Sequence, residues 1–290
     1  MKRLCFIGGD KRQIRVINRL CELFPQIKIF GFDKAENSFL DKVIICETMA
    51  EAVRDSEIIV CPLPYSADGE NIYMPYSENL IRIEEVLKNT DKTQTLLLGK
   101  ADDTLKNLAD KYKIKCVDYL EREELAILNA IPTAEGAIEI AMRETPYTIN
   151  GSECLVLGNG RIGKVLSKML SGIGANVTVC MRKHKDIAYC QAMGYKNILF
   201  KELANKVGSY NVIFNTVPLR VIGANELGNM RKDCIIIDLA SNPGGVDFEE
   251  AKKSAIKTIH ALSLPGKVAP QTAGDYVAET IKNIIEEMEV

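Results

Sequence analysis

The sequence predicts an α/β protein built from two doubly wound lobes, each with a parallel sheet. Three observations predict this fold. A length of 290 residues favours about two domains, apolar strands alternate with helices in both halves, and a glycine-rich turn opens the second half. A hydrophobic content of 47% with 26% charged residues is enough for a sizeable core. We expect a hinge helix between the lobes and a last helix that crosses back to the first lobe.

The first half begins the alternation. Its predicted strands are Leu4–Ile7, Ile27–Phe32, Glu57–Cys61, Thr95–Leu98 and Lys115–Val117. An amphipathic helix is predicted over Lys11–Phe24. The turn Gly8-Gly9-Asp10 lacks the third glycine of a nucleotide-binding turn, although Asp33 stands where a ribose-binding carboxylate would. We therefore predict that residues 1–125, with the C-terminal helix 272–290, form the substrate-side domain.

The segment between the halves, Glu121–Tyr147, predicts a broken helix. Apolar residues favour a helix up to Ile131, and Pro132 is expected to interrupt it. Thr133 then resembles the N-cap of a second helix that ends at Glu144. Such a broken helix is typical of a hinge. Residues 126–271, including this helix, are the predicted nucleotide-binding domain.

A G-x-G-x-x-G turn follows the apolar strand that ends at Leu157. In this turn Gly158 allows a tight bend, Gly160 lets the backbone approach a pyrophosphate, and Gly163 allows close packing of helix and strand. The helix that follows, predicted over Lys164–Ile173, points its positive end at the anion. The pattern predicts a Rossmann-like dinucleotide site that includes Arg161 and Ile162.

The end of the next strand, Asn176–Met181, indicates which dinucleotide binds. NAD sites usually carry an Asp or Glu there, which binds the ribose 2′-hydroxyl. This strand is followed by Arg182 and Lys183, with His184 beside them. Two cations suit a 2′-phosphate, which Arg can hold in a bidentate contact. We therefore predict NADP as the cofactor.

Three loops follow the last predicted strands of the sheet. Those strands, after one near Asn197–Phe200, are Val212–Asn215, Cys234–Leu239 and Lys257–Ala261. Ligands in open α/β sheets bind outside the carboxyl ends of strands. The predicted cofactor contacts in the first two loops are Asn215, Thr216, Val217, Pro218, Ala240 and Ser241, and the third loop is Leu264–Pro270. Thr272 with Asp275 resembles a capping box that begins the last helix.

Composition excludes several classes of protein. The net charge of −2 gives no basis for binding nucleic acid or an anionic membrane. Nine dispersed cysteines without a C-x-x-C pair predict reduced thiols in a cytosol and no metal site. We expect no signal sequence at the N-terminus and no apolar run long enough to span a bilayer. We expect no membrane partner.

Several blocks of the sequence resemble the A subunits of bacterial dipicolinate synthase, over essentially the whole chain. The blocks are residues 7–13, Glu121-Arg122, 129–136, 158–163, 238–248 and 264–274. The glycine turn alone is generic, whereas the last two blocks and Ile131-Pro132-Thr133-Ala134-Glu135-Gly136 are more specific. The family's turn reads Gly-Leu-Gly, so Asn159 departs from it.

The resemblance implies a spore-forming bacterium that makes pyridine-2,6-dicarboxylate, with the enzyme in the cytoplasm of the mother cell. The family's substrate is cyclic 4-hydroxy-tetrahydrodipicolinate, which loses water and is oxidised with NADP as hydride acceptor. The A subunit works with a flavoprotein-like B subunit, and we expect copies of the chain to associate as well.

A dicarboxylate substrate predicts further site residues. Arg12, Arg122 and Lys267 are candidate cations, and Thr133, Pro265 and Gly266 are candidate substrate contacts within the resembling blocks. Glu135 and Glu121 at the hinge, with Lys267, are candidates for acid and base catalysis. A position near a helix N-terminus would favour the ionised form of Glu135. Each of these charges has the alternative of being an ordinary surface or capping residue, and His260, inside a strand, is a poorer candidate.

Two other functions stay open on the sequence. The block Leu264–Thr272 is also similar to methylenetetrahydrofolate dehydrogenases, which share the two-lobed plan and use NADP. The chain is alternatively a non-catalytic subunit that binds NADPH to stabilise or regulate a partner. The identity of the base, the activity of the chain alone and the oligomeric state do not follow from the sequence.

Overall fold

The computed structural model describes residues 2–35 and 38–288. The chain divides into two units, Met1–Leu128 with Ala269–Val290, and Asn129–Val268. The division between them falls inside one long helix. The substrate-side role predicted for residues 1–125 with 272–290, and the nucleotide-binding limits 126–271, stay predictions.

The first unit is built on a parallel sheet in the order β3-β2-β1-β4-β5-β6. In the described residues its strands are β1 (Leu4–Ile7), β2 (Ile27–Phe30), β3 (Val43–Ile45), β4 (Ile58–Val60), β5 (Thr95–Leu98) and β6 (Lys115–Asp118). Its first helices are α1 (Lys11–Leu20), α2 (Met49–Val53), α3 (Ile83–Asn89) and α4 (Asp103–Tyr112). Strand residues alternate between faces, so Leu4 and Phe6 enter one core while Cys5 and Ile7 enter the other.

The broken helix predicted around Pro132 is wrong. Helix α5 runs without interruption over Glu123–Glu144 with Pro132 inside it. A proline in a helix interior removes one hydrogen bond and costs about 3 kcal/mol. Buried alanines at 130, 134, 137 and 141 offset this penalty, because alanine favours the helix and packs closely.

Two predictions that depended on a helix start at Thr133 are corrected as well. Thr133 is no N-cap, since its hydroxyl donates to the Asn129 carbonyl one turn back, at 2.7 Å. Glu135 consequently lies in mid-helix rather than near a helix N-terminus. The macrodipole does not favour an ionised Glu135 there, because its effect is confined to the first and last turns.

Helix α5 also corrects the expectation that no apolar run is long enough to cross a bilayer. It has 22 residues, and its most apolar 18-residue window has a mean hydropathy of 1.3. By length and composition alone, this helix could cross a membrane. The core helix of a soluble protein passes the same test, and 44% of that window is buried inside the protein, so the helix is weak evidence for a membrane.

The second unit repeats the plan with the sheet order β12-β11-β10-β7-β8-β9. The strands seen in the described residues are β7 (Glu153–Leu157), β8 (Asn176–Met181), β9 (Lys196–Leu199), β10 (Val212–Asn215), β11 (Ile235–Asp238) and β12 (Lys257–His260). The helices are α6 (Arg161–Gly172), α7 (His184–Ala192), α8 (Leu203–Lys206), α9 (Ala224–Gly228), α10 (Phe248–Lys253) and α11 (Leu264–Val268). Both sheets follow the doubly wound order 3-2-1-4-5-6, which confirms the predicted fold class.

The last helix, α12 (Pro270–Glu287), packs on α1 of the first unit, as predicted. Gly274 allows the close approach, because a Cβ there would lie 2.7 Å from Arg15 Cβ. Asp275 accepts from Arg15 Nε at 2.7 Å. The predicted capping box is wrong: the helix begins at Pro270, and Asp275 serves this ion pair instead of a cap.

Candidate functional site

The three glycines of the turn after β7 are required for three different reasons. Gly158 has φ +98°, and a Cβ there would lie 2.6 Å from Thr216 Oγ1. A Cβ on Gly163 would lie 2.2 Å from the Gly158 carbonyl oxygen, so only glycine lets α6 pack this close to the turn. Around Gly160 no heavy atom of the described residues comes within 4 Å of a built Cβ. The space that a pyrophosphate needs is therefore open at Gly160.

The N-terminus of α6 is suited to hold an anion. Gly160 is its N-cap and supplies no side-chain hydrogen bond, and its first turn contains no acidic residue. Backbone N–H groups at a helix start can therefore bind a ligand. Arg161 is exposed beside this turn, whereas Ile162 packs against the core of the unit. The helix starts three residues before the predicted Lys164.

A buried polar pair braces the loops that follow β10 and β11. Asn215 and Asp238 are both fully buried, and Asn215 Nδ2 donates to Asp238 Oδ1 at 2.8 Å. The same amide group donates to the Val217 carbonyl at 3.0 Å, and Val217 N–H donates back to Asn215 Oδ1 at 3.1 Å. Asn215 thus shapes the loop from inside, and its side chain is not exposed to a ligand.

Asp238 holds the second loop in the same way. Its carboxylate accepts from the Ala240 N–H at 3.1 Å and from the Gly245 N–H at 2.7 Å. Analysis of the sequence missed Asp238. A carboxylate that ends the apolar strand Ile235–Asp238, in register with Asn215, was the available signal. Two strand ends linked by charge-assisted hydrogen bonds give a rigid floor at the edge where a dinucleotide is expected.

The remaining predicted cofactor contacts lie along this edge. Thr216 donates from its hydroxyl to the Leu157 carbonyl at 2.8 Å, which ties the loop to the end of β7. Pro218 and Ser241 have exposed surface, while Ala240 is buried and its carbonyl oxygen lies 2.9 Å from His260 Nε2. At the carboxyl ends of β10 and β11, a ligand would therefore meet mainly loop backbone and small side chains.

The basic residues predicted to hold a 2′-phosphate follow the end of β8. The guanidinium of Arg182 lies 5.4 Å from the centroid of the Phe200 ring, a cation–π contact that limits its motion. Lys183 is the N-cap of α7 and supplies no side-chain cap, and His184 follows it in the first turn. Arg182 and Lys183 thus place two cations beside another helix N-terminus, which favours an anion, while the first turn of α7 also contains the acidic Asp186.

The corresponding turn of the first unit is closed by its own chain. The Gly9 N–H donates to the Tyr73 carbonyl at 2.9 Å, and a Cβ on Gly8 would lie 2.3 Å from Met74 Cγ. Asp33, the potential ribose ligand, already accepts from Ser77 Oγ at 2.6 Å. The loop of residues 73–77 therefore fills the space beside the Gly8-Gly9-Asp10 turn, where a nucleotide would bind.

The turn of the first unit also lacks the second and third glycines of the G-x-G-x-x-G pattern found in the second unit. Asp10 stands at the position of Gly160 and places a carboxylate where a pyrophosphate would approach. Gln13 stands at the position of Gly163 and is buried against Gly9. A nucleotide in the first unit would meet both an obstructing loop and a like charge.

The predicted substrate cations of the first unit are already paired. Arg12 binds Asp10 through two nitrogens and also donates to the Leu63 carbonyl. Arg122 makes a bidentate pair with Glu287, both contacts at 2.6 Å, and binds Glu124 at 2.8 Å. A substrate carboxylate at either guanidinium would have to compete with these partners, and both roles stay predictions.

The predicted catalytic residues lie on different elements. Glu121 is exposed and 3.7 Å from Lys106. Lys267 is exposed on α11, a short helix where the sequence predicted a loop that also holds Pro265 and Gly266. Glu135 lines a groove between α5 and the C-terminal end of α6. The glycine turn is at the other end of α6, roughly 18 Å away along its 12 residues, which weighs against Glu135 as a group that acts beside the nicotinamide.

The described residues hold no cluster of three or more His, Cys, Asp or Glu side chains that could bind a metal. His260 contacts the Ala240 carbonyl and the Phe248 ring, whose centroid is 5.1 Å away. It is thus a structural residue of β12.

Two lobes with this strand order, one of which carries an open glycine turn, define the class of NAD(P)-binding, two-lobed dehydrogenases. Residues 133–249 match the NAD-binding domain of the D-isomer-specific 2-hydroxyacid dehydrogenases. Residues 3–120 match the N-terminal domain of the A subunit of dipicolinate synthase.

Individual relatives agree with these matches. The chain is 34% identical to the dipicolinate synthase A subunit of Bacillus subtilis (strain 168) over 290 residues, which cover 99% of this chain and 97% of the relative. The crystal structure of the dipicolinate synthase A subunit from Bacillus halodurans has a TM-score of 0.91 at 32% identity, covering 98% and 97% of the two chains. The bifunctional protein FolD of Campylobacter jejuni is 26% identical over 136 residues, 47% of this chain and 43% of the relative. The chain belongs to the family of dipicolinate synthase A subunits.

Proposed function

We propose that this chain converts 4-hydroxy-tetrahydrodipicolinate to dipicolinate with NADP as the oxidant. The observation that carries the proposal is 34% identity to the A subunit of a dipicolinate synthase along nearly the whole of both chains. Loss of one water leaves a dihydro ring, and removal of one hydride and one proton makes it aromatic. NADP, when bound, accepts the hydride and becomes NADPH.

Two sets of residues in the second unit support the cofactor part of the proposal. Gly160 leaves room for a pyrophosphate at the N-terminus of α6. Arg182 and Lys183 follow the end of β8, where a 2′-phosphate would lie. The braced loops after Asn215 and Asp238 would support the nicotinamide at the strand edge. NADP is preferred over NAD because no carboxylate stands directly at the end of β8.

The chemistry also needs groups that hold two carboxylates and move protons. Arg12 and Arg122 are the proposed carboxylate ligands, since a guanidinium binds a carboxylate through two parallel hydrogen bonds. In each case the substrate would replace an acidic partner that the residue now has, Asp10 or Glu287. Glu121 and Lys267 are the proposed proton carriers, with Thr133, Pro265 and Gly266 as further contacts.

The family assignment supports a heteromeric enzyme. We propose that the partner is a flavoprotein-like B subunit, in the cytoplasm of a sporulating cell. An NADP-dependent dehydrogenase of the methylenetetrahydrofolate type is the second candidate, favoured by the partial match to FolD. That match covers less than half of either chain, whereas the relative that matches along nearly the whole chain supports dipicolinate.

A ligand-protection experiment tests the substrate side. Dipicolinate should raise the melting temperature, and more so with NADP present, because ligands that bind the native state stabilise it. Arg122→Ala should remove the shift caused by dipicolinate but keep the shift caused by NADPH. Shifts are compared within each variant, since the loss of the Glu287 pair lowers the starting value.

Arg143→Ala is the matched control. Arg143 is also an arginine of the α5 region that pairs with two glutamates, Glu139 and Glu144. It should respond to dipicolinate as the parent does, and nicotinate, with one carboxylate, should protect less. No shift with dipicolinate in the parent, even with NADP and the partner flavoprotein, would remove the support for this substrate. A normal shift in Arg122→Ala would show that Arg122 is not a ligand.

A further inference from the structure

A carboxylate lies beside the glycine turn, although none stands at the end of β8. The Gly158 N–H donates to the Cys180 carbonyl at 2.9 Å, which sets the turn against the end of that strand. From the turn, Asn159 Nδ2 donates to Asp186 Oδ1 at 3.2 Å. Asp186 is in the first turn of α7, four residues beyond Arg182, which occupies the strand-end position of the usual ribose-binding acid.

The orientation of the Asn159 amide is set by this contact. Its Oδ1 is buried and has no hydrogen-bond partner among the residues that the structure describes. Turning the amide over would place that oxygen against the Asp186 carboxylate, so the observed orientation is the favourable one. A buried acceptor without a partner reduces stability. The hydrogen bond that Asn159 Nδ2 donates to Asp186 is therefore the interaction that accounts for the orientation of this side chain.

Asn159 binds the Asp186 carboxylate through one oxygen, Oδ1. Asp186 is only half-buried, so its carboxylate is accessible from solvent. Arg182, the nearest basic residue along the strand end, stacks on Phe200 instead. Lys183 and Lys185 are exposed on either side of His184. The carboxylate can thus accept a hydrogen bond from a hydroxyl donor.

We infer that Asp186 determines how the site reads the adenosine ribose, and that Asn159 is its positioning residue. The inference rests on the nucleotide site proposed above and deepens it. The 2′-hydroxyl of NADH donates to the carboxylate, whereas the 2′-phosphate of NADPH is repelled by it and attracted by Arg182. Asp186 therefore favours NADH while Arg182 favours NADPH. The preference for NADPH over NADH is consequently smaller than Arg182 alone would produce.

Calorimetric affinities for NADH and NADPH test the inference in the full chain. Asp186→Asn should weaken NADH by about tenfold, since a hydrogen bond to a charged group is lost, and should leave NADPH equal or tighter. The dissociation constant for NADH divided by that for NADPH then rises about tenfold. Asn159→Leu, which frees the carboxylate, should move the ratio in the same direction by a smaller factor.

Glu249→Gln is the matched control, because Glu249 is an acid in the first turn of α10 in the same unit. It should leave the ratio unchanged, and all three variants should melt close to the parent without nucleotide. A ratio for Asp186→Asn within twofold of the parent overturns the inference, as does an equal response of Glu249→Gln. A parent that prefers NADH would contradict the NADP proposal alone, while the response of Asp186→Asn would still decide the inference.

Discussion

At the scale of single residues, Gly160 gives the sharpest test of the nucleotide site. Its φ is −82°, which any residue adopts, and a Cβ there would meet no atom of the described residues. Gly160→Val should therefore fold normally, yet it should abolish nucleotide binding because the side chain fills the space of the pyrophosphate. Enhancement of NADPH fluorescence measures binding, and circular dichroism checks the fold.

Gly172→Val is the control, since Gly172 is at the far end of α6 and its added Cβ is equally free of contacts within the described ranges. It should bind NADPH like the parent. Normal affinity in Gly160→Val would show that the pyrophosphate lies elsewhere.

Arg182 carries the prediction on cofactor choice. Loss of a charge-assisted contact to the 2′-phosphate removes roughly 1.5–3 kcal/mol, so Arg182→Ala should weaken NADPH binding about ten- to hundredfold. NADH should hardly change, because it has no phosphate at that position. Calorimetry on parent and variant measures both. Equal affinity of the parent for NADPH and NADH would contradict the prediction.

The glycine turn could be predicted from sequence because its requirements are local. A tight turn, a close approach and close packing are all fixed by residues within six positions of one another. For Asp238 the one signal in the sequence is that it ends an apolar strand. The partners of Asp238 and Asp186 do not follow from local spacing, since Asn215 and Asn159 are 23 and 27 residues distant along the chain. Only the parallel register of the strands brings them together.

At the scale of elements, the buried pair below the loops should contribute strongly to stability. Asp238→Ala leaves three donors, on Asn215, Ala240 and Gly245, without this acceptor. Each buried donor without a partner costs about 1–3 kcal/mol. We expect the free energy of unfolding to fall by at least about 3 kcal/mol, as measured by urea denaturation.

Asp233→Ala serves as the control for this variant, because Asp233 is an exposed acid just before the same strand. Its effect should be small, since exposed ion pairs contribute little. Equal stability of the two variants would mean that water replaces the carboxylate of Asp238 without penalty.

Helix α5 shows where propensity alone misleads. Pro132 predicts an interruption, but residues 130, 134, 137 and 141 place small side chains in the core on both sides of it. Burial of that face outweighs the single lost hydrogen bond. Strand β3 was missed for the opposite reason: it has three residues, and Ile44 and Ile45 are exposed, so it has no clear pattern.

At the scale of the whole molecule, the nine cysteines should be protected by folding. Eight are buried and Cys116 is half-buried. Burial raises the pKa of Cys154, Cys180 and Cys234 to about 12, and that of Cys116 to about 11. The reactive thiolate is therefore scarce at about pH 8. We expect at most the Cys116 thiol to react with a disulfide reagent in the native chain, and all nine thiols after unfolding.

Rapid reaction of several thiols in the native chain at about pH 8 would contradict this burial of the cysteines. Cys116→Ser provides the control, since it should remove whatever native reactivity there is and leave the other eight protected.

The two units have the same strand order but different turns, and this difference assigns the nucleotide to the second unit. The first unit fills its turn with a loop and with Asp10, whereas the second leaves Gly160 open. The missing glycines predict this much from the sequence alone. The obstructing loop has no such signal, because residues 73–77 approach Gly8 and Asp33 only in the folded chain.

Oxidation of a cyclic dicarboxylate with NADP is the activity proposed for the whole chain, and turnover tests it most directly. Purified chain, with and without the flavoprotein partner, is mixed with 4-hydroxy-tetrahydrodipicolinate and NADP, and dipicolinate and NADPH are followed together. We predict that they form in a one-to-one ratio, and that Gly160→Val abolishes both. Formation of dipicolinate without NADPH, or at the same rate with Gly160→Val, would show that the chain is not the dehydrogenase.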